Sequence, residues 1–218
     1  MYSQLELLRH LSVNSSRAID NKIEKGEIAP DLVVQMSENR TLHYYKKERV
    51  QEYASKFGWT VINDDNKYKL FMDMVKEMRM DHSYKPVLLK ALFKCSDNQG
   101  RAKISDLVEY FRNFYSDRRN NNLIVEKEDS LFFKDYYTDK EIEREILNYP
   151  FRRFETMSMM HHTNTLGVVQ IDSCVWKALS EEDKHEIIQI CDAKLEEYYK
   201  RISKTRRFKY EFKRCGDL

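Results

Sequence analysis

Ser15, Ser16, Arg17, Asn21 and Lys22 lie close together in "NSSRAIDNKIEKG", residues 14–26, and their types suit recognition rather than bond-making. An Arg guanidinium forks onto the acceptors of guanine and an Asn amide onto the edge of adenine. Ser and Lys reach backbone phosphates. Asp20 departs from such a face, because a carboxylate there must accept from a base donor or repel the backbone. Further cations sit at Arg40, at Arg152 and Arg153 in "FRRFE", and at Arg206 and Arg207 in a run over 200–214 rich in Lys and Arg. Phosphate contact is one reading of Arg152 and Arg153; surface charge paired with Glu155 or Glu145 is the other. The basic run either clamps a duplex backbone, with affinity falling steeply as salt rises, or is a solvated end.

Catalytic signatures are missing. The sequence holds no Gly-rich phosphate loop, no nucleophile elbow and no HExxH. His161, His162 and Cys174 are conceivable metal ligands, yet adjacent histidines in a strand point to opposite faces and cannot easily share one ion. "VEKED", residues 125–129, has the carboxylates and lysine of a metal-dependent nuclease, whose chemistry needs a central sheet to cluster them. Too little strand is predicted to build that sheet, so this stretch reads as a solvated charge run. No catalytic residue, cofactor or metal is expected.

The elements that must carry the polar cluster are short. Leu5, Leu8 and Leu11 recur at helical spacing, with Ser3 and Glu6 as a capping box. Asn14 or Ser15 caps a second helix whose stripe is Ala18, Ile19 and Ile23 and whose stop is Gly26. That stripe turns part of the polar cluster outward. "DLVVQMSENRTLHYY" reads as a hairpin turning at Ser37 to Arg40, and "KKERVQEYASKFG" as an amphipathic helix closed by Gly58.

With its "EKGEIAPD" break, hairpin and following helix, residues 1 to about 58 resemble a winged helix-turn-helix of the MerR or excisionase type. The resemblance implies a second helix in the major groove and a wing at the backbone. It puts Ser15, Ser16, Arg17, Asn21 and Lys22 on bases or phosphates and Arg40 in the wing. The competing reading is a small module that docks on protein or on its own copy.

Residues 59–66, "WTVINDDN", mark a boundary between a domain over 1–60 and a larger helical one over 66–218. Phe71, Met74, Val75 and Met78 form a core or dimer stripe; "SYKPVLLKALFKC" is a buried helix capped by Ser83. A broad-faced helix over 104–119 follows, then an aromatic and polar insertion over 118–137. Thr138 and Glu141 box a helix that Pro150 ends; after it come a short helix, two strands around Asn164 to Gly167, and a long helix capped at Ser180. This order is the plan of a second winged helix. The segment over 80–201, with "YKPVLLKALF", "NYPFRRFE" and "LEEYYKR", is also similar to an accessory segment of bacterial defence-associated helicases and restriction proteins. That similarity implies a bacterial or phage protein working on DNA in a defence setting.

The bulk properties agree with a mainly α protein carrying small β-hairpins: five Gly and three Pro in 218 residues, with 34% charged side chains. No apolar run is long enough for a bilayer and no basic-then-apolar leader opens the chain, so a cytoplasmic protein without a membrane partner is expected. Cys95, Cys174, Cys191 and Cys215 have no paired spacing and are expected as free thiols. Together these readings predict a non-enzymatic protein that binds double-stranded DNA as a homodimer and regulates transcription. The alternative is a phage or mobile-element inhibitor, of anti-CRISPR or anti-restriction type, that binds a defence nuclease or helicase and represses its own promoter.

Overall fold

In the computed structural model the described residues are 1–13, 16–38 and 40–215, with side chains described except at 16 and 206–215. Ser3 ends a two-residue strand β1 (Tyr2–Ser3) and caps helix α1 (Gln4–Arg9) through the expected reciprocal bonds with Glu6. Helix α2 (Ser16–Glu24) follows; its expected caps, Asn14 and Ser15, lie outside the described residues. Strands β2 (Leu32–Ser37) and β3 (Arg40–Tyr45) form the expected hairpin, and β1 pairs with β3, so the sheet order is β1-β3-β2. Helix α3 (Arg49–Phe57) stops at Gly58, whose φ of 67° is the left-handed geometry that a residue without Cβ adopts freely.

Leu7, Leu8, Leu11, Ile19, Ile28 and Tyr45 are buried together as one core, with Val50, Tyr53 and Ala54 of α3 closing it. Removing such side chains from water stabilises by about 1.5–3 kcal/mol each, which is what keeps helices of six to nine residues folded. Asp31 clamps the start of the hairpin to α3, with Arg49 Nη2 at 3.1 Å and the Lys46 amide at 2.9 Å.

The expected boundary is not a free linker. Leu11 bridges Val61, the Ser12 amide donates to the Thr60 carbonyl at 2.9 Å, and the Ile62 amide donates to the His10 carbonyl at 2.9 Å. Asn63 then caps helix α4 (Asp64–Lys76). The reason is local: Val61 and Ile62 are β-branched and find an exposed backbone edge in 10–13.

The larger core is built by α4, α5 (Tyr84–Cys95), α6 (Ile104–Asn120), α7 (Asp139–Ile146), α8 (Arg152–Thr156), α9 (Ser173–Ala178) and α10 (Glu181–Cys215). Strands β4 (Arg101–Lys103), β5 (Met160–Thr163) and β6 (Val168–Ile171) make a second antiparallel sheet, order β4-β6-β5. Phe71 and Val75 of α4 are fully buried, so the Met-containing stripe is core.

Two local expectations fail. Pro150 does not end the helix begun by Thr138: α7 widens into a π-turn over Leu147–Phe151 and continues as α8. Proline lacks an N–H and crowds the preceding turn, and a widened turn accommodates both. Ser83 precedes α5 without a side-chain capping bond, because its hydroxyl turns inward to Glu126 and Tyr115. Among the described residues no helix is long and apolar enough to cross a membrane.

Candidate nucleic-acid interface

Ile19 of α2 is fully buried, with Ala18 and Ile23 packed against the same core. The helical period therefore turns Arg17 and Asn21 outward, four residues apart on one exposed face. Among the described residues neither side chain has a hydrogen bond or ion pair. Asp20 does not share that face: its carboxylate accepts from Gln4 Nε2 at 2.5 Å, which removes the repulsive acid that the sequence places there.

Lys22 departs from the expected cluster. Its ammonium lies 3.8 Å from the centre of the Phe57 ring and 2.8 Å from a Glu27 carboxylate oxygen, so it braces α2 against α3. An exposed cation over an aromatic ring contributes about 0.5–1 kcal/mol. Arg40 opens β3 and is exposed at the hairpin tip, beside a β2 strand that also leaves Leu32, Val33 and Met36 in solvent. Ser15 lies outside the described residues, and the side chains of Ser16, Arg206 and Arg207 are not described, although α10 runs through the last two.

Arg152 and Arg153 stand apart from α2, on the corner where the π-turn meets α8. Arg152 forms no ion pair with Glu155 or Glu145 among the described residues, and Glu155 takes Arg9 of α1 at 3.4 Å. Arg153 is half-buried and donates from Nη1 to the Val13 carbonyl at 3.4 Å; burial disfavours its charge. Arg152 is exposed. Both line a cleft of about 360 Å³ between α1 and this corner.

No known protein family, curated protein or solved structure matches the chain. What the interface can touch follows from its own geometry.

The histidine and cysteine positions resolve as structural contacts. His161 Nε2 lies 3.1 Å from Asp172, which also takes Lys67 at 3.0 Å and the Cys174 amide at 3.0 Å. Burial raises the Asp172 carboxyl, and these partners outweigh it and hold it below the ordinary range. His162 faces the Phe151 ring instead, as alternation in β5 requires. Among the described residues no group of three His, Cys, Asp or Glu is placed to hold a metal ion, and Cys95, Cys174 and Cys191 are free thiols.

The sequence reading missed the most concentrated polar network. Glu126, taken with its neighbours as a solvated charge run, is fully buried. Its carboxylate accepts from the Ser83 amide at 2.6 Å, from the Ser83 and Tyr198 hydroxyls, and stands 3.3 Å from His82 Nδ1. Ile124 and Val125 immediately before it, which pack against the larger core, are the one signal available, since an apolar pair draws the next side chain inward.

Proposed function

We propose that this chain is a non-enzymatic DNA-binding protein in which α2 reads base edges and the β2–β3 hairpin approaches the backbone. The reading rests on Arg17 and Asn21, which share an exposed face of a helix whose opposite face is packed and which have no partner among the described residues. An unpaired Arg and Asn at this spacing fit guanine and adenine edges in a major groove. The strand and helix order, with β1 added to the hairpin, suits the winged helix-turn-helix resemblance, and Arg40 at the hairpin tip suits a wing. Arg153 has its guanidinium on the Val13 carbonyl and is left out of this interface; Lys22 contributes position more than contact.

One such module touches few base pairs, so a homodimer on a palindromic site, with half-sites about one helical turn apart, is part of the proposal. Regulation of transcription is the use it serves. A second reading, capture of a defence nuclease, is favoured by the insertion over 118–137, which leaves Leu123 and Tyr136 in solvent at 52% and 80% exposure.

The test is selection of duplexes from a random pool by the full chain, followed by binding measurements on the selected site. Arg17→Ala should weaken the selected site by about 1–3 kcal/mol and relax its preference at one base pair. No enrichment, or enrichment unchanged in Arg17→Ala, sinks the base-reading role. Enrichment of nothing together with co-purification of a purified nuclease would move the choice to the second reading.

A further inference from the structure

We propose that the cleft between α1 and the α8 corner binds a small phosphate-bearing molecule of mononucleotide size, with Lys85 and Arg152 on the phosphate and Tyr149 against its planar part. The inference goes beyond DNA reading by α2 and does not depend on it.

The cleft has about 360 Å³ of room, within the range of small-molecule sites. One wall is Leu5 and Leu8 of α1; the other is the π-turn and α8, with Tyr149, Arg152 and Arg153; Lys85 comes from the first turn of α5. Asp81 is the one carboxylate among the cleft's lining residues. Burial pushes the half-buried Lys85 ammonium below its usual value and the Arg153 charge pushes it further, while the nearby Asp81 carboxylate only partly opposes them. Lys85 Nζ donates to the Arg79 carbonyl at 2.7 Å and takes part in no ion pair among the described residues, and Arg152 has none either.

A carbonyl satisfies one N–H of an ammonium and leaves two more to donate. A phosphomonoester is close to a dianion at neutral pH, with three acceptor oxygens, and matches two cations better than a carboxylate does. The Tyr149 ring is 60% exposed at the cleft, on the turn that Pro150 widens. An exposed ring beside a phosphate-sized cationic pocket favours a ligand with its own flat ring. Widened π-turns recur at binding sites for the same geometric reason: they re-aim side chains that a regular helix would stack.

The test uses the full chain at low salt, with adenosine monophosphate, inorganic phosphate, adenosine and duplex DNA as probes, read by calorimetric titration and melting temperature. The nucleotide should bind and raise the melting temperature, phosphate should do so more weakly, and adenosine should not. Lys85→Met should keep or raise the melting temperature of the free protein, keep binding of duplex DNA, and lose at least about tenfold in nucleotide affinity. Tyr149→Ala should lose nucleotide affinity while keeping that for phosphate. The proposal is overturned by no binding of nucleotide or phosphate at millimolar concentration, by affinity unchanged in Lys85→Met, or by loss of duplex binding in that variant. The last outcome would assign the cleft to a backbone phosphate of DNA. Loss of the base preference of α2 with nucleotide binding intact would strike only the DNA reading.

Discussion

Glu126 gathers partners from two distant parts of the chain: His82 and Ser83 before α5, and Tyr198 on α10. Burial pushes its carboxyl up, but the bonds from His82, Ser83 and Tyr198 outweigh that and hold it below 4.5. The same contact raises His82 above 6.5, against a smaller opposing effect of burial. One shift acts below pH 4.5 and the other above pH 6.5. Stability from Glu126 is present above 4.5 and is lost as pH falls through the lower folded value. Stability from protonated His82 is present below 6.5 and fades as pH rises through its raised folded value. A glutamine at this position accepts through one oxygen only and sets an amide N–H₂ against donors. Glu126→Gln should therefore destabilise by about 3 kcal/mol, roughly 6–12 °C in melting temperature for a chain of this size. It should also flatten both limbs of the stability profile, the acid limb that falls away below pH 4.5 and the other that falls away above pH 6.5. Denaturation across both limbs decides it, and a profile unchanged by the substitution would remove the network from the stability of the fold.

Gly100 shows what an element asks of one residue. It has φ of 74°, and a Cβ there would lie 2.6 Å from the Trp176 ring, whose indole N–H donates to the Asn98 carbonyl at 3.0 Å. The Gly100 carbonyl accepts from Ile171 at the end of β6, so the turn joins α5 to the second sheet. Gly100→Ala should cost on the order of 3 kcal/mol, combining left-handed strain with overpacking, and should quench or shift Trp176 fluorescence. Equal stability of the variant would mean that the ring yields freely. Elements of this kind were legible in the sequence where their causes are local. Ser3 with Glu6 and Thr138 with Glu141 form their capping boxes, and Gly58 ends α3. The outward face of α2 was legible too, because Ala18, Ile19 and Ile23 fix its phase. What stayed hidden depends on partners distant in sequence. Ser83 reads as a cap until Glu126 arrives from across the fold, and Lys22 reads as free until Phe57 lies under it. Pro150 reads as a stop because a widened turn leaves no trace in the periodicity. The cleft was invisible for the same reason, since its walls are α1 and α8.

Across the whole molecule, the two cores meet through α1 and α8 and through the 59–62 stretch. Arg9 pairs with Glu155 at 3.4 Å, with 39% and 31% of the two side chains exposed. A pair that long and that wet is worth at most about 1 kcal/mol, so reversing Arg9 to Glu should change stability little, and Glu155→Arg should restore the loss. Hydrogen bonds to backbone carbonyls hold the join more firmly: Ser158 Oγ donates to the Arg9 carbonyl at 3.2 Å, and the Ile62 amide donates to the His10 carbonyl at 2.9 Å. Proteolysis needs a segment whose backbone can leave the surface. Residues 59–62 fail that requirement, because Thr60 is bonded to Ser12 through both its amide and its carbonyl and Val61 bridges Leu11. Limited proteolysis of the native chain should therefore spare 59–62 even though composition marks it as a junction, and thermal unfolding should proceed as one transition. Two stable fragments released early by cuts between Trp59 and Asn63, or two separated melting steps, would mean that the join opens on its own. In that event the cleft between α1 and α8 would also open and close with it, and nucleotide should then slow the cutting, which links the mechanical and the binding measurements in one experiment.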